Sequence, residues 1–363
     1  MKPLTHSPPQ PSSPSHPSLL VAGLSLLGVG CGDPGGGGGQ PDSASQLALY
    51  EPAQRYAVRQ GDGMITYTST DITTPQRTIP LRVRVPEGAT GPLPVVVVIH
   101  GGGFVDNGHT HLADWGTSLA TAGYVAINFA NVMDELNAHC APLQIPSNEC
   151  VGSQLGMEVA EGGTLPAYLY TRPRDASAIL DRLAAIAQAA GVQIDPLRVG
   201  VLGHSGGAHA TLALAGSVVD VSPSIHAMPS REPRFKAYVA NSPQGIGRSG
   251  MTATSWDGIT VPVLIQTGRN DATSGEDAAG RRHAFTHMPG PNKFEHYVDD
   301  PNTSHEIFSL SHDPGIEGVE LTLASTAVAF LDAYVLDRPE AKEWLASDAL
   351  TRATAGVSTL DRK

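Results

Sequence analysis

Between residues 64 and 335, short apolar runs alternate with longer segments of helical composition, and several runs are unbroken β-branched stretches such as Val95-Val96-Val97-Val98-Ile99. A strand that is apolar at every position must be buried on both faces, and helices between such strands provide the cover. The pattern predicts an α/β fold with a mostly parallel central sheet of about eight strands flanked by helices. Strands are expected at 64–68, 81–85, 95–100, 125–128, 198–202, 237–240, 263–267 and 294–298, and helices at 112–122, 172–190, 206–215, 278–288 and 325–335. With 363 residues, 40% of them hydrophobic and only 16% charged, the chain has enough apolar side chains for one large core.

The N-terminal region follows a different logic. A Pro/Ser/His-rich stretch with a single lysine, Lys2, leads into an apolar run over 19–29 that is too short to span a bilayer. Residues 1–31 are therefore read as a signal peptide, ending in Leu27-Gly28-Val29-Gly30-Cys31, a sequence like a bacterial lipoprotein box with Cys31 as the lipidated residue. Ordinary secretion is the alternative. Residues 32–46, with five consecutive glycines, form a flexible tether, and the folded domain occupies 47–363. The expected location is the bacterial cell envelope, with membrane contact only through the lipid anchor.

The remaining cysteines, Cys140 and Cys150, suit an oxidising compartment and are read as a disulfide closing a short loop, the alternative being two free thiols. They lie in the Gly- and Pro-containing stretch 132–170, which leaves the carboxyl end of a predicted strand, where α/β sheets bind ligands. That stretch is expected to form a lid or specificity wall. A formal charge of −12, with no Lys/Arg stripe, argues against a nucleic-acid partner. Oligomeric state is left open.

The chemistry is carried by three segments. Gly203-His204-Ser205-Gly206-Gly207 follows the strand at 198–202 and precedes the helix at 206–215, which is the strand, sharp turn and helix of a nucleophile elbow. Ser205 is the candidate nucleophile. A serine hydroxyl needs a histidine base and an acid to orient it, and on this architecture both follow the serine, acid first. Asp271 lies directly after the strand at 263–267 and is preferred over Glu276 and Asp277, which look like a helix start. His305, delivered by the loop after the last strand, is preferred as base over His296, with His283, His287 and His312 as weaker candidates.

His100-Gly101-Gly102-Gly103-Phe104 follows the strand at 95–100. The amides of Gly102 and Gly103, with that of Gly206, form a candidate oxyanion hole, and Phe104 is a candidate wall of the substrate pocket.

Together with Arg172-Pro173-Arg174-Asp175, Asn241-Ser242-Pro243-Gln244-Gly245, Ser255-Trp256 and Val261-Pro262-Val263-Leu264-Ile265, these motifs resemble serine esterases of the α/β-hydrolase superfamily. The resemblance, over residues 81–336, is to the dienelactone-hydrolase-like and platelet-activating-factor-acetylhydrolase-like group. It implies the α/β-hydrolase fold and hydrolysis of carboxylic esters by Ser205, Asp271 and His305, without metal or organic cofactor; the expected partner is a small-molecule or lipid ester substrate, whose identity the kinship does not give. Members with dienelactone activity proper carry cysteine where Ser205 stands, and the triple glycine after His100 is closer to the hormone-sensitive-lipase branch.

Three other readings stay open. An acyltransferase or peptidase would use the same triad. A metallohydrolase is suggested by His109-Thr110-His111 and Asp114, but an H-x-H-x-D-H motif would need the aspartate one position earlier and a histidine after it. A catalytically inactive binding protein would be expected to lack a triad member.

Overall fold

The structure is a computed structural model that describes residues 48–67, 77–103, 106–131, 167–221, 226–273, 275–310 and 318–363. Cys31, Phe104, Cys140, Cys150 and His312 lie outside the described residues, as do the leader, the tether and most of the 132–170 insertion.

In chain order the first half runs β1 (Val58–Tyr67), β2 (Arg77–Pro86), β3 (Leu93–Ile99), α1 (Ala113–Thr121), β4 (Val125–Phe129), α2 (Ala167–Asp181), α3 (Leu183–Ala190), β5 (Ile194–His204) and α4 (Gly206–Ala215). It continues with the short pair β6 (Val218–Val219) and β7 (Met228–Pro229), then β8 (Ala237–Asn241), β9 (Val263–Gly268), α5 (His283–His287), β10 (Lys293–Val298), α6 (Val319–Tyr334), α7 (Pro339–Ala346), α8 (Ala349–Ala353) and β11 (Ser358–Arg362).

Among the described residues the central sheet has nine strands in the order β1-β2-β4-β3-β5-β8-β9-β10-β11. It is parallel from β4 to β10 and antiparallel at β1–β2, β2–β4 and β10–β11. Successive residues of the inner strands serve opposite faces. Val95, Val97 and Ile99 of β3 join a core with Val201 of β5, Ile265 of β9, Ile179 of α2 and Leu212 of α4. Val96 and Val98 join a second core with Leu202, Leu264, Trp115 of α1 and Phe330 of α6. Both faces are apolar because helices cover both, so the alternation of side-chain direction leaves no alternation in hydrophobicity.

Nine strands is one more than the sequence pattern predicts. The extra strand, β11, pairs with β10 at the sheet edge and buries only Ser358 and Leu360, so Ser-Thr-Leu-Asp-Arg carries almost no apolar signal. The helix expected at 172–190 also differs. It begins at Ala167, keeps Pro173 inside, and breaks at Arg182 into α2 and α3. Arg172-Pro173 looks like a helix start because proline suits a first turn. Here Leu169, Arg172, Asp175 and Ala176 are all buried, and that packing holds the helix through the proline. The expected helix at 278–288 is a 3-10 turn, Gly280–Arg282, followed by the short α5. Two C-terminal helices, α7 and α8, were not anticipated.

Candidate active site

Ser205 follows β5 and caps α4 with φ 55° and ψ −119°, a positive-φ backbone that is rare outside glycine. The turn fits only because its neighbours lack side chains. A Cβ on Gly203 would sit 2.2 Å from the Gly207 carbonyl oxygen, and one on Gly207 would sit 2.0 Å from that of Ile99. The elbow therefore packs directly on the end of β3. Ser205 stands at the N-terminus of a ten-residue helix, whose dipole favours negative charge beside it.

Asp271, in the loop after β9, and His305, at the start of a 3-10 turn after β10, meet at 2.7 Å between Oδ1 and Nδ1. The pairing assigns the ring proton to Nδ1 and leaves Nε2 as a lone-pair nitrogen, the arrangement a general base requires. The other carboxylate oxygen of Asp271 accepts from Ser242 Oγ at 2.6 Å and from Thr267 Oγ1 at 2.8 Å. The buried Arg281 guanidinium lies 3.7 Å from Oδ1 and donates to the carbonyls of Ser242 and Pro243. The rival acids are engaged elsewhere. Glu276 pairs with Arg281 and accepts from the Gly245 amide, and Asp277 accepts from the Gly280 amide.

The histidines divide by environment. His296 is fully buried within β10, accepts a 3.3 Å hydrogen bond from Gln266, and burial pushes it down to about 3. It lies away from the cavity that holds His305. His283 accepts from the Ile246 amide, and His287 packs beside Trp256. His204, next to Ser205, lies 4.7 Å from the His305 ring and donates from Nε2 to the His305 carbonyl at 3.1 Å. Burial, then the adjacent His305, pushes it down to about 3, so it remains a neutral donor.

The glycine loop after β3 is held by side chains from other elements. Arg172 of α2 is buried and donates to the carbonyls of His100 at 3.0 Å and Gly102 at 2.6 Å, and also to that of Gly103. His100 donates from Nδ1 to the Gly101 carbonyl at 2.7 Å while its Nε2 accepts from the Asn131 amide. Burial keeps His100 neutral, well below the usual histidine range. With these carbonyls turned toward Arg172, the loop amides are free to face elsewhere. Among the described residues, no loop or turn hydrogen bond uses the amides of Gly102, Gly103 or Gly206 as donors. Gly206 lies against this loop, since a Cβ there would come 3.0 Å from the Gly102 oxygen.

Ser205 and His305 line one cavity of about 480 Å³ together with Gly101, Gly102, His111 and Leu112. Of the three glycines expected to form the oxyanion hole, Gly102 lines this cavity, and Gly206 adjoins it through its approach to the Gly102 oxygen. Among the described residues no hydrogen bond joins the Ser205 hydroxyl to the His305 ring. His109 lies within the 3-10 turn Gly108–Thr110, His111 caps that turn, and Asp114 sits in the first turn of α1. Among the described residues no three His, Cys, Asp or Glu side chains form a group able to hold a metal ion.

Sequence reasoning did not assign roles to Ser242, Thr267, Arg281 or His204. Arg172 and Ser242 fell within segments noted for their resemblance alone.

No protein-family model matches the chain, and no curated protein matches it.

Proposed function

We propose that the chain is a serine hydrolase of the α/β-hydrolase fold, related to the dienelactone-hydrolase-like and platelet-activating-factor-acetylhydrolase-like esterases, and that it cleaves carboxylic esters through an acyl-enzyme. The observation that carries this reading is the 2.7 Å Asp271–His305 pair, with His305 and the strained Ser205 lining one cavity. In the proposed cycle His305 accepts the Ser205 proton as Oγ attacks the carbonyl carbon. The amides of the Gly102 loop and Gly206, with the α4 dipole, stabilise the oxyanion. His305 then protonates the departing alkoxide, and a water molecule repeats the sequence to release the acid and restore Ser205.

The test is labelling with a fluorophosphonate, mapped by peptide mass, alongside hydrolysis of a short p-nitrophenyl ester. Label on Ser205 and a loss of about 10⁴- to 10⁶-fold in kcat for Ser205→Ala are expected. Hydrolysis that survives Ser205→Ala would overturn the proposal. Export and a lipid anchor on Cys31 form part of the same reading. Its check is whether Cys31→Ser moves the protein from the membrane fraction to the soluble fraction.

A further inference from the structure

We propose that Leu112 sets the length of the aliphatic chain that the cavity accepts from an ester; this rests on the esterase reading above. Leu112 has φ 53° and ψ 38°, a left-handed conformation that a bulky side chain rarely adopts and that is found where surrounding structure enforces it. The enforcement is visible. Asn128 of β4 donates from Nδ2 to the carbonyls of both His111 and Leu112, at 3.0 and 3.3 Å. The Asn128 amide oxygen in turn accepts from Arg84 at 3.0 Å, and both side chains are buried. Gly116 leaves room for this clamp, because a Cβ there would come within 2.6 Å of both the Arg84 guanidinium and the Asn128 oxygen.

Glycine would take the same backbone conformation without strain, so what leucine adds at this position is its side chain. Leu112 lines the cavity that holds Ser205 and His305. Among the described lining residues Leu112 is the one aliphatic side chain, the rest being glycine, histidine, serine, threonine and glutamate. Leu112 also packs against the core cluster that contains Trp115 and Phe308, both fully buried. An apolar wall backed by a dense core cannot recede, so it limits how far a hydrocarbon chain extends from the reacting carbonyl. Truncating it deepens the cavity toward that cluster.

The experiment compares kcat/KM of the full chain with those of Leu112→Ala, Leu112→Gly and Leu112→Phe over two ester series. One series varies acyl length at a fixed alcohol and the other varies alcohol length at a fixed acyl group, which separates the two possible sources of the chain. Leu112→Gly also removes the backbone strain, and thermal melting of each variant checks folding. The expected result is that the Ala and Gly variants favour esters longer than the wild-type optimum by at least about tenfold in one series, while the Phe variant favours shorter ones. Length profiles of unchanged shape in both series, with the variants folded, would overturn the proposal. Failure of the wild type to hydrolyse any ester, or to take label on Ser205, would instead sink the esterase reading on which it depends.

Discussion

His305 Nδ1 and Asp271 Oδ1 lie 2.7 Å apart with both side chains buried, and the other hydrogen bonds that side chains donate to the Asp271 carboxylate fall on Oδ2. Ser242 and Thr267 hold Oδ2, so Oδ1 is left to orient the ring. Asp271→Asn keeps the shape but offers an amide that can donate instead of accept, which favours the wrong histidine tautomer. A loss of about 10³- to 10⁴-fold in kcat, with KM changed far less, is expected in steady-state ester hydrolysis. Near-normal kcat in the Asp271→Asn variant would mean that this pair is structural only.

Arg172 acts through the glycine loop. Arg172→Ala releases the carbonyls of His100, Gly102 and Gly103, and Arg172→Lys replaces a rigid fork of donors with one point charge. If the loop amides stabilise the oxyanion, both variants should lower kcat by about 10²-fold while Ser205 still takes a fluorophosphonate label. A rise in KM alone, with kcat preserved, would assign Arg172 to substrate binding instead.

The glycines of the site differ in what they tolerate. Gly207→Ala would drive a Cβ to 2.0 Å from the Ile99 oxygen and is expected to cost about 3 kcal/mol or more in urea unfolding. Gly102 has φ 69° and, among the described residues, nothing within 4 Å of a Cβ placed on it, so Gly102→Ala should cost only about 1 kcal/mol of left-handed strain. Equal losses in the two variants would contradict this division.

Acid sensitivity should start with histidines. Burial pushes His204 and His296 down to about 3 and His209 down to about 4 from the ordinary 6.5. Below pH 6.5 the unfolded chain takes up protons at these positions while the folded chain does not. Stability therefore falls as pH drops from 6.5 toward 3 to 4, by up to about 1.4 kcal/mol per pH unit for each group. Urea midpoints at pH 7, 6 and 5 should decline less steeply in His296→Gln than in the wild type. Parallel declines would show that His296 does not contribute.

Much of the architecture was legible because it is local. Runs such as Val95 to Ile99 and Val263 to Thr267 report burial on both faces, and each of the eight strands they and their neighbours predict is present in the sheet. The edge strand β11 was not legible, because a strand that buries only Ser358 and Leu360 has little apolar pattern to display. The start of α2 at Ala167 was missed for a different reason. Pro173 is a strong local signal for a helix start, and the burial of Leu169 and Arg172 outweighs it.

The same division holds in the candidate site. The sequence by itself determined the elbow, since glycines at 203 and 207 around Ser205 and the flanking strand and helix are all consequences of neighbouring residues. It also determined the order in which Asp271 and His305 follow the strand ends. Only the tertiary structure decided what holds these groups: Arg172 on a carbonyl 70 residues away, His204 on the carbonyl of His305, and Asn128 fixing Leu112 at the cavity wall. Such contacts join single polar atoms from elements far apart in the chain. They leave no period, run or spacing in the sequence, and arise only when the packing of both sheet faces brings those elements together.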